Sequence, residues 1–446
     1  MEENTPKIVQ SKSRDSFTSK WGFILAAVGS AVGMANVWAF PFRTAKYGGA
    51  SFLLPYLVCL LVLMLTGVVA EIAFGRWGRT GPVGTFRKAL QIKNKPLKGI
   101  GWIPIIGIFG IGTGYAIVIG WVLRYLGGSI TGAVTSAENP GAYFGEICGN
   151  FGSLPWHLTV IVLTFAVMYF GISKGIEKAC KIMMPLFYIL FIYMAIRVAF
   201  IPGAAEGYKY LFVPDWSYLV NPVTWMFALG QCYFSLSLGG AGTLVYGSYL
   251  SEKEDIVSSS IIIAVLDTTA AMLAALVVIP AVFAFQLDLA AGPPLMFITL
   301  PVIFQQMASG QIFAIVFFTA IFFASFTSIV NLFEPPIEAL VQKFNITRTK
   351  SMVIVFGIAT TIGVFIENAD MISGWMDLMS IYIVPFGAAI VGIIFFWVMD
   401  KEFVLGQYKL GRKKGVPEWL YPLGKYVFCP VSISVVVLGI IFGGIG

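Results

Sequence analysis

Two stretches decide the fold: Gly29-Ser-Ala-Val-Gly33-Met-Ala-Asn36-Val-Trp-Ala-Phe-Pro41 and Gly230-Gln-Cys-Tyr-Phe-Ser235-Leu-Ser237-Leu-Gly239-Gly240-Ala-Gly242-Thr. Each sits inside an apolar run and sets small, helix-weakening residues beside Asn or Ser. A glycine within a helix costs ~1 kcal/mol relative to alanine, and Gly239-Gly240-x-Gly242 stacks three in one turn. A single cluster of this kind reads more simply as a close helix–helix contact. Two of them, five spans apart, have the pattern of interrupted membrane helices that meet at a midplane site. Unwound backbone there offers carbonyls to a cation and amide hydrogens to a carboxylate, so solute transport is the leading expectation from the residues alone.

The rest of the chain supplies the setting. Of 446 residues, 58% are hydrophobic and 11% charged, too few charges to cover a water-facing surface. Phe52–Ala73, Ile182–Ile201 and Ser259–Phe285 each approach or exceed the ~20 apolar residues that cross ~30 Å of hydrocarbon. Alternating segments of barrel type are absent, which leaves helices. The length criterion predicts about eleven spans, at 22–44, 50–74, 100–128, 156–172, 181–201, 221–248, 256–285, 311–341, 350–366, 371–399 and 423–443.

Lys and Arg crowd the loops on one side: Arg76 to Lys98, then Lys174, Lys178 and Lys181, then Lys343, Arg348 and Lys350, then Arg412 to Lys414. The opposite loops carry Glu138, Glu146, Glu206, Asp215, Asp288, Glu367 and Asp370. This bias predicts a cytoplasmic N-terminus and an outer C-terminus. It also accounts for the net +7, which therefore gives no support to a nucleic-acid role. Met1–Lys20 is polar and reads as a cytoplasmic tail rather than a cleaved signal. The five cysteines lack metal-ligand spacing, and the sole histidine, His157, reads as a structural residue at an outer helix end. Short tails and an outer loop without a glycosylation sequon suit a bacterial inner membrane.

With these motifs in view, the chain resembles the neurotransmitter:sodium symporter family, above all its bacterial amino-acid members. The likeness runs from Arg14 to about Trp397 and is carried by Gly29–Pro41, Gly48-Gly49-x-x-Phe52-x-x-Pro55-Tyr56, Gly230–Tyr249, Phe297-Ile-Thr-Leu-Pro301 and Phe322–Pro335. It implies an all-α membrane protein with a five-plus-five inverted repeat and discontinuous first and sixth helices. The halves would be 21–201 and 221–399, after a tail at 1–20 and before a cytoplasmic loop and last span at 400–446. It also implies coupling to two sodium ions. One ion would take the carbonyl of Ala31, the side chains of Asn36, Ser235 and Asp267, and the substrate carboxylate. The other would take the carbonyls of Gly29, Val32 and Ala324 with the hydroxyls of Thr327 and Ser328. All these ligands are oxygens, as a hard cation requires, although the Thr327-Ser328 hydroxyls also read as bonds back to the preceding turn.

The resemblance lines the substrate pocket with Ala31, Met34, Ala35, Ile111, Tyr115, Phe234, Ser237, Gly240, Ser328 and Leu332, with the Tyr115 hydroxyl on the carboxylate. Arg14, Ser248, Tyr249 and Glu334 match an inner gate, an ordinary positive-inside charge being the alternative for Arg14. Gly175 and Pro185 match a Gly-x9-Pro pattern of bacterial relatives, where the fifth span unwinds at its cytoplasmic end; a plain proline kink is the alternative.

Departures from the family pattern sharpen the reading. Asp267 stands where chloride-dependent members have Asn, which points to chloride independence, while Ala271 occupies a place where some bacterial members keep Glu. Ala39 replaces an outer-gate Arg whose partner Asp matches Asp377, and Arg43 lies one turn further out. Gly33 stands where monoamine carriers have an acid, and Gly240 where a leucine-carrying member has a bulky aromatic. Together these predict a hydrophobic or aromatic amino acid as substrate, with sodium and the lipid bilayer as the other partners. The competing classes are a channel or sensor, which lacks repeated filter motifs or charged rings here, and a membrane-embedded enzyme, for which no His, Cys or Glu cluster is present.

Overall fold

Interrupting a helix inside a membrane leaves backbone donors and acceptors that the surrounding protein must satisfy, and the architecture is organised around two such interruptions. The computed structural model describes residues 15–95, 99–288 and 294–445, which form helices and no strands. Among the described residues, eight helices are long and apolar enough to cross a membrane. These are Ala50–Gly78 (span 2), Trp102–Thr131 (span 3), Ile172–Ala199 (span 5) and Ile256–Ala284 (span 7), then Gly310–Phe344 (span 8), Arg348–Phe365 (span 9), Ala369–Val398 (span 10) and Leu420–Phe442 (span 11). Span 1 is the pair Lys20–Ala31 and Ala35–Lys46, bent by 58°. Span 4 is the shorter apolar helix Leu154–Tyr169, and span 6 is the pair Pro222–Ser235 and Gly242–Ser248.

The break in span 1 is made by Val32, whose backbone turns extended (φ −74°, ψ 112°) after Ala31. The Gly33 amide is then caught by Asn36 Oδ1 at 3.1 Å, so the Asn side chain replaces a lost helical carbonyl. In span 6 the chain leaves the helix after Ser235, and Ser237 (φ 53°) and Gly240 (φ 72°) both adopt the left-handed region. Glycine does so freely. Ser237 does so at a cost, as residues at functional sites often do. The Gly240 amide donates to Glu71 Oε1 of span 2 at 2.8 Å, which satisfies the freed backbone group without water.

Span 3 is the most enclosed helix, 78% of its apolar window being buried, whereas the same share is 28% for span 5 and 33% for spans 9 and 11. Spans 3 and 8, the latter at 61%, are the most enclosed of the eight. Span 1 packs on spans 5, 7 and 8, span 3 on span 8, and the second half of span 6 on span 2.

One sequence expectation is corrected here. The fifth span begins at Ile172 rather than 181: a left-handed Gly171 (φ 78°) makes the whole turn from span 4, so Lys174, Lys178 and Lys181 lie on helix and not in a loop. Between the spans lie further helices at Pro82–Ile92, Pro140–Cys148, Ala204–Phe212, Leu295–Gln306 and Lys401–Lys409.

Candidate functional site

Asn36 and Ser235, one at each helix break, converge on Asp267 in the middle of span 7. Asn36 Nδ2 donates to Asp267 Oδ1 at 2.8 Å, and Ser235 Oγ donates to Asp267 Oδ2 at 2.6 Å. Asn36 Nδ2 also lies 3.2 Å from Ser235 Oγ and 3.3 Å from the Asp267 carbonyl. All three side chains are fully buried. Among the described residues no Lys, Arg or His forms an ion pair with Asp267, so a carboxylate is held in the interior by neutral partners alone. Ala31, the last helical residue before the first break, lines the adjoining cavity.

Part of the second expected cation group also comes together, with Gly29 of span 1 against Thr327 of span 8. A Cβ built on Gly29 would stand 2.8 Å from Thr327 Cβ and 3.0 Å from its hydroxyl, so only glycine lets the two helices approach here. Thr327 Oγ1 donates back to the carbonyls of Ala324 (2.9 Å) and Phe323 (3.0 Å), the intrahelical alternative. Ser328 instead reaches across to the Ser30 carbonyl at 3.2 Å, and Val32 amide closes on Val28 at 2.7 Å. A hydroxyl that donates within its helix keeps lone pairs for a cation.

Beside these groups lies a cavity of about 670 Å³, within the range of small-molecule sites. Nine of the ten expected pocket residues line it: Ala31, Met34, Ala35, Ile111, Tyr115, Phe234, Ser237, Ser328 and Leu332. Phe234 is 40% exposed although it sits mid-bundle, because its ring faces this space. The Tyr115 hydroxyl accepts from the Met34 amide at 3.0 Å and thereby stands over the break in span 1.

Gly240 is the exception and a correction. Its missing side chain would point at the Gly387 backbone (carbonyl oxygen 2.5 Å, carbonyl carbon 2.7 Å) and at Val391 of span 10, away from the cavity. Gly239 is the glycine that lines the space, facing Val384 at 3.0 Å. The left-handed turn fixed by Glu71 decides which of the two adjacent glycines looks inward.

The cavity opens at the end of the bundle where the acidic loops lie, past Trp38, Phe42, Arg43, Lys46, Phe144 and Ala369. Ala39, Arg43 and Asp377 all line this vestibule. Arg43 Nη1 donates to Gln231 Oε1 at 2.5 Å, and among the described residues no ion pair joins it to Asp377.

The basic-loop end is closed. Glu334 carries two 2.7 Å bonds from Arg348 and a third, also 2.7 Å, from the Tyr249 hydroxyl. Phe17 packs edge-on against Phe23 and Tyr246 at 5.5 and 5.6 Å. The buried Ser248 donates to Val245 at 2.6 Å. Arg14 lies outside the described residues. Gly175 sits in the first turn of span 5, where a side chain would collide with the Val167 carbonyl, and Pro185 lies within continuous helix Glu177–Ala199.

Sequence reasoning missed several working residues. Glu71 had a signal, an acid deep inside an apolar span. Gln231, Ser30 and Asn331 had weaker ones: Ser30 takes the Ser237 and Ser328 hydroxyls on its carbonyl and pairs with Asn331 through its own, tying spans 1, 6 and 8 together. Arg348 looked like one more loop charge.

Comparison with known proteins places the fold in a family. The profile of the sodium:neurotransmitter symporter family matches residues 14–150 and 144–438. An uncharacterized sodium-dependent transporter of Bacillus subtilis is 30% identical, with 95% of this chain and 97% of the relative aligned. Another from Methanocaldococcus jannaschii is 31% identical over 95% of this chain and 90% of its own. The crystal structure of MhsT in complex with L-phenylalanine superposes with a TM-score of 0.85 at 33% identity, over 96% of this chain and 99% of that one. The chain belongs to the sodium:neurotransmitter symporter family, a family of multi-spanning, sodium-dependent membrane transporters.

Proposed function

We propose that this protein is a symporter that carries hydrophobic and aromatic L-amino acids into a bacterial cell together with two sodium ions and without chloride. The observation that carries this is Asp267: a fully buried carboxylate held by Asn36 and Ser235 with no ion-pair partner among the described residues. An intramembrane acid is costly unless a charge answers it, and a sodium ion among these oxygens does so. The fixed charge takes the part that chloride plays elsewhere. Met34 amide and Tyr115 hydroxyl stand at the cavity floor, where the tyrosine hydrogen is available to a substrate carboxylate. Tyr115, Phe234 and Ile111 give the cavity an apolar wall, and the solved relative with L-phenylalanine bound supports the same substrate class.

The arrangement supports alternating access: open at the acidic-loop end, shut at the Arg348–Glu334 end. The loop charges put the closed end and the N-terminus in the cytoplasm and the C-terminus outside. In this reading 21–201 and 221–399 are the two inverted halves, with Arg14, Ser248, Tyr249 and Glu334 at the inner gate. Two sodium ions with a zwitterion move two charges inward, worth ~4.6 kcal/mol per 100 mV, or about a thousandfold accumulation.

Uptake of labelled phenylalanine and tryptophan into proteoliposomes tests the reading. An imposed sodium gradient should drive accumulation equally well in chloride and in gluconate, with large apolar amino acids competing far better than glycine or a monoamine. Sodium-independent uptake, or loss of uptake in gluconate, would overturn it.

A further inference from the structure

The start of span 5 carries a feature that the transport site does not use. A groove of about 530 Å³ lies there, lined by Phe170, Ser173, Lys174, Glu177, Lys178 and Lys181. Three cations face the Glu177 carboxylate, with Asp15 beside them taking the Ile172 and Ser173 amides at 2.6 and 3.3 Å, and both anions are already engaged. Glu177 takes the Thr18 amide at 2.7 Å, the Thr18 hydroxyl at 2.5 Å and the Lys181 ammonium at 2.6 Å. Lys174 and Lys178 are exposed, and neither has an ion-pair partner among the described residues. The groove therefore keeps a net positive charge with two free ammonium groups.

What lies beyond the lysines identifies the ligand. Lys178 begins a line of exposed residues spaced by three and four: Ile182, Leu186, Ile189, Tyr193 and Ile196. That spacing puts them on one helix face. From Ile182 to Ile196 the stripe runs about 21 Å at ~1.5 Å per residue, longer than one ~15 Å leaflet of hydrocarbon. Span 5 is also among the least enclosed helices of the bundle, so this face meets lipid and not protein. A cationic groove capping an acyl-length apolar lane matches a phospholipid, with the charge selecting an anionic one. Lysine stems lie along apolar surface while their heads reach the phosphate. The inner leaflet, where the loop charges put this end, is the anionic one.

We propose that the head of span 5 binds the phosphate of an anionic glycerophospholipid through Lys174 and Lys178, with its acyl chains along the Ile182–Ile196 face. This rests on the membrane orientation argued above and not on the identity of the transported solute. Because Lys181 and Thr18 share Glu177, the bound lipid sits against the clamp that fastens the N-terminal segment to span 5.

Native mass spectrometry of the purified full chain, released from detergent with dioleoyl-phosphatidylglycerol or dioleoyl-phosphatidylcholine, reads the site. Wild type should retain phosphatidylglycerol in preference to phosphatidylcholine. Each lysine near an anionic group contributes about fivefold in affinity, so Lys174→Gln/Lys178→Gln should weaken retention about thirtyfold. Lys174→Arg/Lys178→Arg should keep it. Ile189→Ser, which leaves the charge intact, should weaken it several-fold. Unchanged retention in the glutamine pair would overturn the proposal. So would displacement of the lipid by millimolar glycerophosphoglycerol, which carries the headgroup without chains and would mark a plain phosphate site.

Discussion

The Arg348 guanidinium lies fork to fork on the Glu334 carboxylate, Nη1 on Oε1 and Nη2 on Oε2, both at 2.7 Å. The pair joins the end of span 8 to the start of span 9, and Tyr249 adds the second half of span 6 to the same carboxylate. Glu334 is fully buried, whereas 30% of the Arg348 side chain reaches solvent. Bidentate geometry of this kind fixes orientation as well as charge, and here it locks the closed end of the cavity.

Removing one partner of a buried pair costs about 3–5 kcal/mol, with the partial exposure of Arg348 placing this pair near the lower end. The cost falls on the conformation that contains the pair, so Arg348→Gln should shift the population toward one open at that end. Cys180 is buried behind the gate, next to Gly29, and reports the change. Its labelling by a small thiol reagent should accelerate at least tenfold in the variant, while sodium-dependent substrate binding from the opposite side weakens. Labelling at the wild-type rate would count against a gate at Glu334.

Asp267→Asn removes the charge but keeps the shape and both neighbours, Asn36 and Ser235. Sodium needed for half-maximal binding should rise at least tenfold, about 1.4 kcal/mol. Chloride should partly restore the variant by returning a negative charge near the ion. Binding titrations in sodium chloride and sodium gluconate check both points. A variant with wild-type sodium affinity in gluconate would show that Asp267 does not serve the ion.

The two adjacent glycines of span 6 make opposite predictions. Gly239→Ala puts a methyl 3.0 Å from Val384 at the cavity wall, a contact that a valine rotation relieves. It should fold and discriminate against tryptophan more than leucine. Gly240→Ala drives a methyl against the Gly387 backbone from a left-handed residue, which no side-chain rotation relieves. It should lower thermal stability by several degrees and the yield of folded protein. Competition uptake for the first variant and a melting curve for the second separate cavity from packing.

That contrast shows what the sequence made legible and what it did not. Gly, Asn and Ser inside apolar runs are costly enough to stand out, so both breaks could be read directly, whereas the grouping of Asn36, Ser235 and Asp267 came only from the resemblance to the family. Which of Gly239 and Gly240 faces inward depends on the sign of one backbone angle, and that is set by Glu71, some 170 positions away in the chain. The Arg348–Glu334 pair was hidden for a similar reason, because an arginine after a turn looks the same whether it meets water or a buried acid. The early start of span 5 was masked by its lysines, whose stems lie on a helix while their charges suggested a loop.

Those same helical turns frame the last prediction, which concerns how sodium would leave the proposed second site. Cys180 and Met184 of span 5 lie against the residues of that proposed site: a Cβ on Gly29 would lie 3.4 Å from the Cys180 sulfur, and the Thr327 hydroxyl is 3.4 Å from the Met184 sulfur. Both residues fall between Gly175 and Pro185, in a segment that is helical in this conformation. Pro185 removes one backbone donor and crowds the preceding turn, at a cost of about 3 kcal/mol in a helix interior. The segment is thus poised to unwind, and unwinding withdraws both sulfurs and admits water to Thr327 and Ser328. Pro185→Ala should stiffen the helix, slow sodium release and lower turnover several-fold, with substrate binding from the open side nearly unchanged. Turnover and equilibrium binding measured on one preparation decide the matter, and full transport by the variant, or equal loss of both, would remove the hinge.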